Sequence, residues 1–142
     1  MMTTPNHQIR CYSAALKTLM RREHSKLELF NKLKLKSYDD EIIDSAITQL
    51  AEQNYQSDER FAEAFILMRF NQGKGPVKIA SELKLRGISS FNLSDFDWFK
   101  SAKEIRKKKF GDIVSSDFKE QAKQKRFLQS RGFSLDQINQ SF

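Results

Sequence analysis

The chain has 142 residues, of which 39% are hydrophobic and 30% charged, and its formal net charge is +7. That length suits one domain or a short array of repeated units, and the 12 phenylalanines supply material for a core. The single cysteine, Cys11, excludes a disulfide framework, and no apolar run approaches the roughly 20 residues that cross a bilayer, so we expect a soluble intracellular protein.

Apolar residues recur every three or four positions along the chain, which is the spacing of helices with one buried face. In chain order the sets are Ala15, Leu16, Leu19 and Met20; Leu27, Phe30 and Leu33; Ile43, Ala46, Ile47 and Leu50; Phe61, Ala62, Phe65 and Met68; Ile79 and Leu83; Phe99, Ala102 and Ile105; and Phe118 and Ala122. No stretch sustains the alternation with period two that is typical of strands. The sequence therefore predicts an all-α fold of about nine short helices.

Helix start signals agree with this pattern. Ser25 stands three residues before Glu28, and Ser134 stands three residues before Gln137, so each pair predicts a capping box. Pro76 follows a glycine and suits the first turn of a helix. All five glycines fall between the apolar segments, where a left-handed residue ends a helix.

The sequence also contains an internal repeat in residues 32–38, 82–88 and 127–133. Each copy has a leucine, a basic residue three positions later, then a small residue, then a large apolar residue. These positions hold Leu33, Lys36, Ser37 and Tyr38; Leu83, Arg86, Gly87 and Ile88; and Leu128, Arg131, Gly132 and Phe133. We expect the leucine to pack the second helix of a unit and the small residue to cap that helix.

Five residues after the apolar position of each copy stands Ile43, Leu93 or Ile138, where a third helix is expected to face the same core. The sequence thus predicts three tandem three-helix repeats in an elongated, curved array. We place a flexible tail at residues 1–9 and the repeats at residues 10–55, 56–95 and 96–142. An array of this kind presents a long face to a partner and lacks the convergent walls of a catalytic pocket.

Positive charge is concentrated at one end of the chain. Residues 1–55 carry 8 Lys and Arg against 7 Asp and Glu, residues 56–100 carry 7 against 6, and residues 101–142 carry 10 against 5. The excess of +5 in the last segment favours an anionic partner there: nucleic acid, an acidic protein surface or, as the least favoured of the three, a membrane. A solvated helix face that only aids solubility is the alternative. Phe99, Phe110, Phe118 and Phe127 lie among these cations at core-like positions, and we assign most of them to packing rather than to base stacking.

Catalytic and metal-binding patterns are weak. His7 and His24 lack partners at ligand spacing, and Cys11 is expected to be an inert thiol. The acidic run at residues 39–44 favours a helix N-terminus, and a magnesium-dependent nuclease using Asp39, Asp40 and Asp44 is the alternative. Residues 73–76 predict a tight connection between helices, and phosphate binding by Lys74 with free N–H groups is the alternative there.

Three segments resemble the signatures of a known family. The first has Arg22, Glu23, His24, Ser25, Glu28 and Leu29, followed by residues 58–62; the second has Arg69, residues 73–76, Ile79, Glu82, Leu83 and residues 86–88; the third has Lys123, residues 125–128 and residues 131–134. Together they span about residues 10–142 and resemble the RecX family of regulatory proteins. Family members often have Asp where this chain has Ser57, and Gly where it has Ser37 and Asn54, but these positions belong to caps and turns.

The resemblance implies a modulator of the recombinase RecA that is not an enzyme, uses no cofactor and consists of three tandem three-helix repeats. Such proteins bind in the helical groove of the RecA–single-stranded DNA filament, bridge neighbouring subunits, and restrain ATP hydrolysis, strand exchange and co-protease activity during DNA repair. We therefore expect a monomeric cytoplasmic protein whose partners are the RecA filament and, weakly and without sequence preference, single-stranded DNA. No membrane partner is expected.

The resemblance supplies no contact residues, so these are predicted from charge and placement. The expected partner-binding residues are Lys74, Lys78, Arg86, Lys103, Arg106, Lys107, Lys123, Lys125, Arg126 and Arg131. A sequence-specific DNA-binding protein that uses one three-helix unit as a helix-turn-helix is the alternative function, and it would be distinguished by base preference.

Overall fold

The computed structural model describes residues 5–142, and these residues form eight α-helices and no strand. The helices are α1 (Pro5–Arg21), α2 (Lys26–Lys34), α3 (Asp40–Glu52), α4 (Asp58–Asn71), α5 (Pro76–Leu85), α6 (Trp98–Phe110), α7 (Phe118–Arg131) and α8 (Leu135–Asn139). The predicted all-α fold is confirmed. None of the described helices is both long and apolar enough to span a membrane.

The first helix begins earlier than expected. The predicted tail was residues 1–9, but α1 starts at Pro5, and only residues 1–4 lie outside the described part of the chain. Proline is favoured in the first turn of a helix because its φ is already helical and its missing N–H has no partner to lose there.

The predicted helix caps are present. Ser25 and Ser134 each form a complete capping box, with Glu28 and Gln137 respectively. The hydroxyl oxygen of Ser57 accepts a hydrogen bond from the backbone N–H of Arg60 at 3.1 Å, so a third serine begins α4 in the same way. Each such cap is worth about 1 kcal/mol of helix stability.

The internal repeat has a structural basis. Leu33, Leu83 and Leu128 are all buried. The small residues that follow them, Ser37, Gly87 and Gly132, all have left-handed backbones, with φ of 67°, 80° and 99°. These residues therefore end the second helix of each repeat, as the sequence pattern predicted.

The second repeat departs from the expected plan because residues 88–97 form no helix. A third helix was expected there around Leu93, which would have made nine helices. Instead the Asn92 side chain accepts hydrogen bonds from the backbone and the hydroxyl of Ser94, and Trp98 Nε1–H donates to the Leu93 carbonyl at 2.7 Å. Local bonds of this kind compete with helix formation in segments rich in Asn, Ser and Asp.

The helices form two compact units. Unit 1 holds residues up to Ala64 together with Lys84–Phe91, and unit 2 holds Phe65–Leu83 together with Asn92–Phe142. The helices of the second predicted repeat, α4 and α5, are therefore divided between the units.

Unit 1 is built on α1, α2 and α3, which pack around an apolar core. Its fully or almost fully buried members include Cys11, Ala15, Leu29, Ile43 and Leu50. Burying one such aliphatic side chain contributes about 2 kcal/mol, so this core is the main source of stability in the unit.

Unit 2 contains α6, α7 and α8, which contact one another in all three pairs. Trp98, Leu128 and Ile138 supply apolar core side chains, one from each helix. Beside them the Phe96 ring lies 4.4 Å from Phe70 and 5.5 Å from Trp98 between centroids. Unit 2 carries most of the predicted partner-binding residues.

Candidate partner-binding surface

Two loops of unit 2 are in direct backbone contact. The N–H of Gly75 donates to the Arg131 carbonyl at 2.7 Å, and the N–H of Val77 donates to the Gly132 carbonyl at 2.9 Å. A Cβ atom added at Gly75 would lie 2.4 Å from the Gly132 carbonyl, and one added at Gly132 would lie 2.2 Å from Lys78 Cβ. Only glycine permits this approach, which fixes the start of α5 against the end of α7.

This loop junction brings three predicted residues together: Lys74, Lys78 and Arg131, called the junction cluster below. Lys78 Nζ lies 3.4 Å from the carbonyl oxygen of Ser130, beside Arg131. The pKa of Lys74 is lowered by desolvation and then by the positive charges of Arg131, Lys78 and Arg69. Because like charges oppose protonation, a bound anion would be favoured at this cluster.

Arg69 was not among the predicted residues, although its charge acts on the cluster. Its guanidinium is held within unit 2, with Nη2 2.6 Å from Glu82 Oε2 and Nη1 2.8 Å from Gln72 Oε1. It also lies over the Phe65 ring, 5.4 Å from the centroid. Arg69 therefore adds positive potential while its Nη1 and Nη2 donors serve the fold. Its place in the second family signature was the only sequence signal for it.

The loop at residues 73–76 is a tight connection between helices, as predicted. The N–H groups of Gly75 and Val77 are used by the carbonyls of the α7 end, and the N–H of Lys74 donates to the Arg69 carbonyl at 3.0 Å. Pro76, between Gly75 and Val77, has no N–H. The backbone donors of Lys74, Gly75 and Val77 are therefore used within unit 2 and are not free to hold a phosphate, which leaves the Lys74 side chain for an anion.

The basic residues of α7 divide into two positions around the helix. Lys123 and Arg126 are exposed, and with Lys119 their spacing places them on one stripe, opposite the buried part of the helix near Leu128. Lys125 lies elsewhere, with its Nζ 5.6 Å from the centroid of the Phe142 ring. The α7 stripe is defined here as Lys119, Lys123 and Arg126.

On α6, Lys103 and Lys107 lie one turn apart on the side away from the core, and Lys103 is exposed. Lys100 shares that side, where its Nζ lies 3.9 Å from Glu104 Oε1. An exposed pair at this distance is weak, so it leaves the face of α6 positively charged.

Arg106 was predicted to bind a partner, and the structure corrects this. Its side chain is only 1% exposed. Its Nε donates to the Ser141 carbonyl at 2.8 Å, and its guanidinium lies 5.1 Å from the centroid of the Phe142 ring. Arg106 follows Trp98 and Ala102 at four-residue intervals, so helical spacing places it on the buried stripe of α6. The prediction grouped it with its neighbours by charge alone.

Arg86 belongs to unit 1 and is half-buried. Its Nε lies 3.6 Å from Glu28 Oε2, and Glu28 also completes the capping box of α2. Part of its charge is therefore used within the unit.

The aromatic residues of unit 2 divide in the same way. Phe110 and Phe127 pack edge to face at 5.4 Å between centroids, so their assignment to packing is confirmed. Phe118 is 83% exposed and Phe99 is 43% exposed, which contradicts a core position for both. Phe118 is the first residue of α7, where only the later turns reach the core.

The residues considered for catalysis have structural roles in unit 1. His24 is buried, and its pKa is lowered mainly by desolvation. Burial likewise raises the pKa of the Cys11 thiol to about 11, which leaves it protonated and unreactive at neutral pH. Asp39 and Asp40 stand at the start of α3, and among residues 5–142 no group of His, Cys, Asp and Glu is arranged to hold a metal ion.

Comparison with known proteins gives consistent matches along the chain. Residues 11–50, 57–93 and 95–141 match the family models of the first, second and third three-helix domains of RecX. The chain is 38% identical to the regulatory protein RecX of Halorhodospira halophila over 88% of this chain and 81% of that protein. It is 41% identical to the regulatory protein RecX of Acinetobacter baylyi over 89% of this chain and 82% of that protein.

Solved structures agree at the level of the fold. The crystal structure of RecX from Lactobacillus salivarius matches with a TM-score of 0.80 at 21% identity, covering 97% of this chain and 96% of that one. A second crystal structure of a regulatory protein RecX matches with a TM-score of 0.79 at 22% identity, covering 94% of this chain and 70% of that one. These matches agree with the all-helical fold of the chain.

Proposed function

This chain belongs to the RecX family of regulatory proteins, and we propose that it is a negative modulator of RecA that binds in the groove of the RecA–single-stranded DNA filament. There it lowers ATP hydrolysis, strand exchange and co-protease activity. It acts as a cytoplasmic monomer, without a cofactor and without bond chemistry of its own. The observation that carries the proposal is the family match, which covers all three domains in order.

The charges of unit 2 support a polyanionic partner. The junction cluster is held by the glycine contact, and the α7 stripe and the exposed side of α6 add further cations. Cations in fixed positions bind phosphates without reading bases, and they also complement an acidic protein surface. Several weak contacts on one molecule reinforce one another through effective concentration.

With Arg106 withdrawn, nine predicted residues remain as proposed contacts: Lys74, Lys78, Arg86, Lys103, Lys107, Lys123, Lys125, Arg126 and Arg131. We rank Lys123 and Arg126 first, because both are exposed and neither has an ion-pair partner among the described residues. Arg131 is more constrained, since its guanidinium lies 5.0 Å from the Phe127 centroid and its carbonyl belongs to the junction. The repeat boundaries at residues 10–55, 56–95 and 96–142 also stay a proposal.

The test is RecA ATPase activity on single-stranded DNA with this protein titrated in. We expect the wild type to lower ATP turnover, and Lys123→Glu/Arg126→Glu to need at least about tenfold more protein for half inhibition, since reversing charges weakens an electrostatic contact. The matched control is Lys26→Glu/Lys84→Glu, which reverses two exposed lysines outside the proposed surface. Unchanged ATP turnover with excess wild type would overturn the proposal.

The same preparations address the alternative function. A helix-turn-helix protein would protect a defined duplex site, because it reads base edges in the major groove. We expect no preferred site, and we expect binding to single-stranded DNA alone to weaken steeply as salt is raised. A footprint at one sequence would favour the alternative.

A further inference from the structure

Unit 1 contains an open groove that the proposed function does not use. It has a volume of about 430 Å³ and lies between α1 and the turn that follows α2. Its walls include four basic side chains, Arg10, Lys17, Arg21 and Lys36, together with the ring of Tyr38. No acidic residue of the described part of the chain, residues 5–142, lines it.

Three of these cations form a line along α1. Arg10, Lys17 and Arg21 are seven and four residues apart, which places them within about 40° of one another around a helix of 3.6 residues per turn. Along the axis they are separated by about 10 Å and about 6 Å. All three are exposed. The groove therefore presents its positive charge as a row rather than as a point.

The opposite wall is held in place by the cap of α2. The N–H of Lys36 donates to the Leu33 carbonyl and that of Ser37 to the Lys34 carbonyl, each at 3.0 Å. These bonds fix the turn that carries Lys36. Tyr38, which follows, packs against the core of unit 1 and still lines the groove. The groove thus has a supported aromatic ring beside its cations.

The charge in the groove is uncompensated although its surroundings are nearly neutral. The first 55 residues carry 8 basic and 7 acidic residues. Ion pairs in unit 1 use other cations: Arg22 with Glu28, Lys34 with Asp40, and Arg60 with Glu23. None of the four groove cations has a carboxylate partner among residues 5–142. The acidic side chains of unit 1 that form ion pairs therefore pair with other cations, and the row of groove cations has no ion-pair partner among the described residues.

We propose that this groove binds a single strand of nucleic acid, with successive phosphates along Arg10, Lys17 and Arg21, a further phosphate at Lys36, and a base against Tyr38. A row of cations beside an aromatic ring is the usual combination for sequence-independent binding of single strands. An acidic polypeptide would use the charges and gain little from the ring. The ligand of this groove is a polyanion, as in the proposed function. The groove lies in unit 1, however, and its binding of a single strand requires no RecA.

The experiment measures the binding of a fluorescent 15-nucleotide oligothymidylate to the full chain, without RecA, over a series of salt concentrations. The groove variant is Lys17→Gln/Lys36→Gln, and the matched control is Lys26→Gln/Lys84→Gln, which removes the same charge from exposed positions of unit 1 outside the groove. We expect the groove variant to raise Kd about tenfold. The slope of log Kd against log salt should fall by about 1.4, which is about 0.7 for each lost phosphate contact. The control should stay within about twofold of the wild type.

Two further ligands identify the partner class. An abasic strand of the same length should bind more weakly than oligothymidylate, because it cannot stack on Tyr38, and polyglutamate should compete poorly. Equal losses in the groove and control variants, equal binding of the abasic strand, or strong competition by polyglutamate would each overturn the proposal. Since RecA is absent, these outcomes are separate from the ATPase test of the proposed function.

Discussion

The first and third three-helix domains share a plan but differ in what fills their cores. The buried residues of α1, α2 and α3 are apolar. In α6, α7 and α8, half of the buried residues are polar, namely Ser101, Arg106, Gln124 and Gln137, beside Trp98, Ala102, Leu128 and Ile138. An apolar core tolerates exchanges of similar volume, whereas a polar core depends on each hydrogen bond being made.

The domains also differ where their second helices end. In the first domain this position is Ser37, a residue with a side chain. In the third it is Gly132, where an added Cβ would meet Lys78 Cβ at 2.2 Å. The first domain therefore has space at its helix end, and the third is closed against α5. The close contact in the third domain therefore fixes the positions of the junction cluster and leaves little room for substitution at Gly132.

The largest effect is expected at this closed junction. Gly132→Ala adds a side chain to a left-handed residue and forces it into Lys78, so it should lower the free energy of unfolding by about 1–3 kcal/mol more than backbone strain alone. The control is Gly111→Ala, which has φ of 92° and nothing within 4 Å of the added Cβ. Urea unfolding followed by circular dichroism measures both. Equal losses in the two variants would mean that the junction is looser than its geometry indicates.

The next effect sharpens the contrast between polar and apolar cores. Arg106→Met keeps the length of the side chain but removes the donor to the buried Ser141 carbonyl, so it should cost about 2 kcal/mol. Lys103→Met, one turn earlier on the exposed side of α6, should change stability by less than about 0.5 kcal/mol. If Arg106→Met left the free energy of unfolding unchanged, the third domain would not depend on this hydrogen bond.

The features that were predicted correctly from the sequence are local ones. The capping boxes at Ser25 and Ser134 and the left-handed positions after each second helix were predictable, because they depend on a few adjacent residues. Helix periodicity was equally local. Apolar spacing also implied the burial of Leu33, Leu83 and Leu128.

Contacts between distant segments were not predictable in this way. Nothing local indicates that Gly75 and Gly132 touch, although both were recognised as loop residues. Arg106 was misjudged because charge was given more weight than its position on the apolar stripe of α6. The groove cations of unit 1 were missed because a segment with nearly balanced charge gave no reason to expect an unpaired row.

A smaller effect concerns the buried histidine of unit 1. His24 has its pKa lowered, first by desolvation and also by the charges of Arg22 and Lys32, while the bond of its ring to the Arg22 carbonyl and the charge of Glu28 act in the opposite direction. The folded pKa therefore lies below the ordinary value of 6.5. As pH falls through 6.5, the unfolded chain binds the proton first and stability decreases, until the folded state also titrates.

We expect the free energy of unfolding to be larger at pH 7.5 than at pH 5.5, and His24→Gln to reduce that difference. Urea titrations at several pH values measure it. An identical pH dependence in the variant would show that the titration of His24 does not govern the loss of stability at low pH.

The smallest effect returns to Ser37, where the first domain differs from the third. Its φ of 67° costs free energy for any residue with a Cβ, so Ser37→Gly should stabilise the protein by about 0.5–1 kcal/mol after the entropy of the added glycine is counted. Asn54, with φ of 65°, provides the contrast: asparagine tolerates this conformation, and its Oδ1 accepts a bond from Arg60 Nη1 at 3.0 Å. Asn54→Gly should therefore be neutral or destabilising. If both changes stabilised equally, backbone strain alone would explain the preference for glycine at such positions; if only Ser37→Gly did, the side-chain bond at Asn54 offsets the strain there.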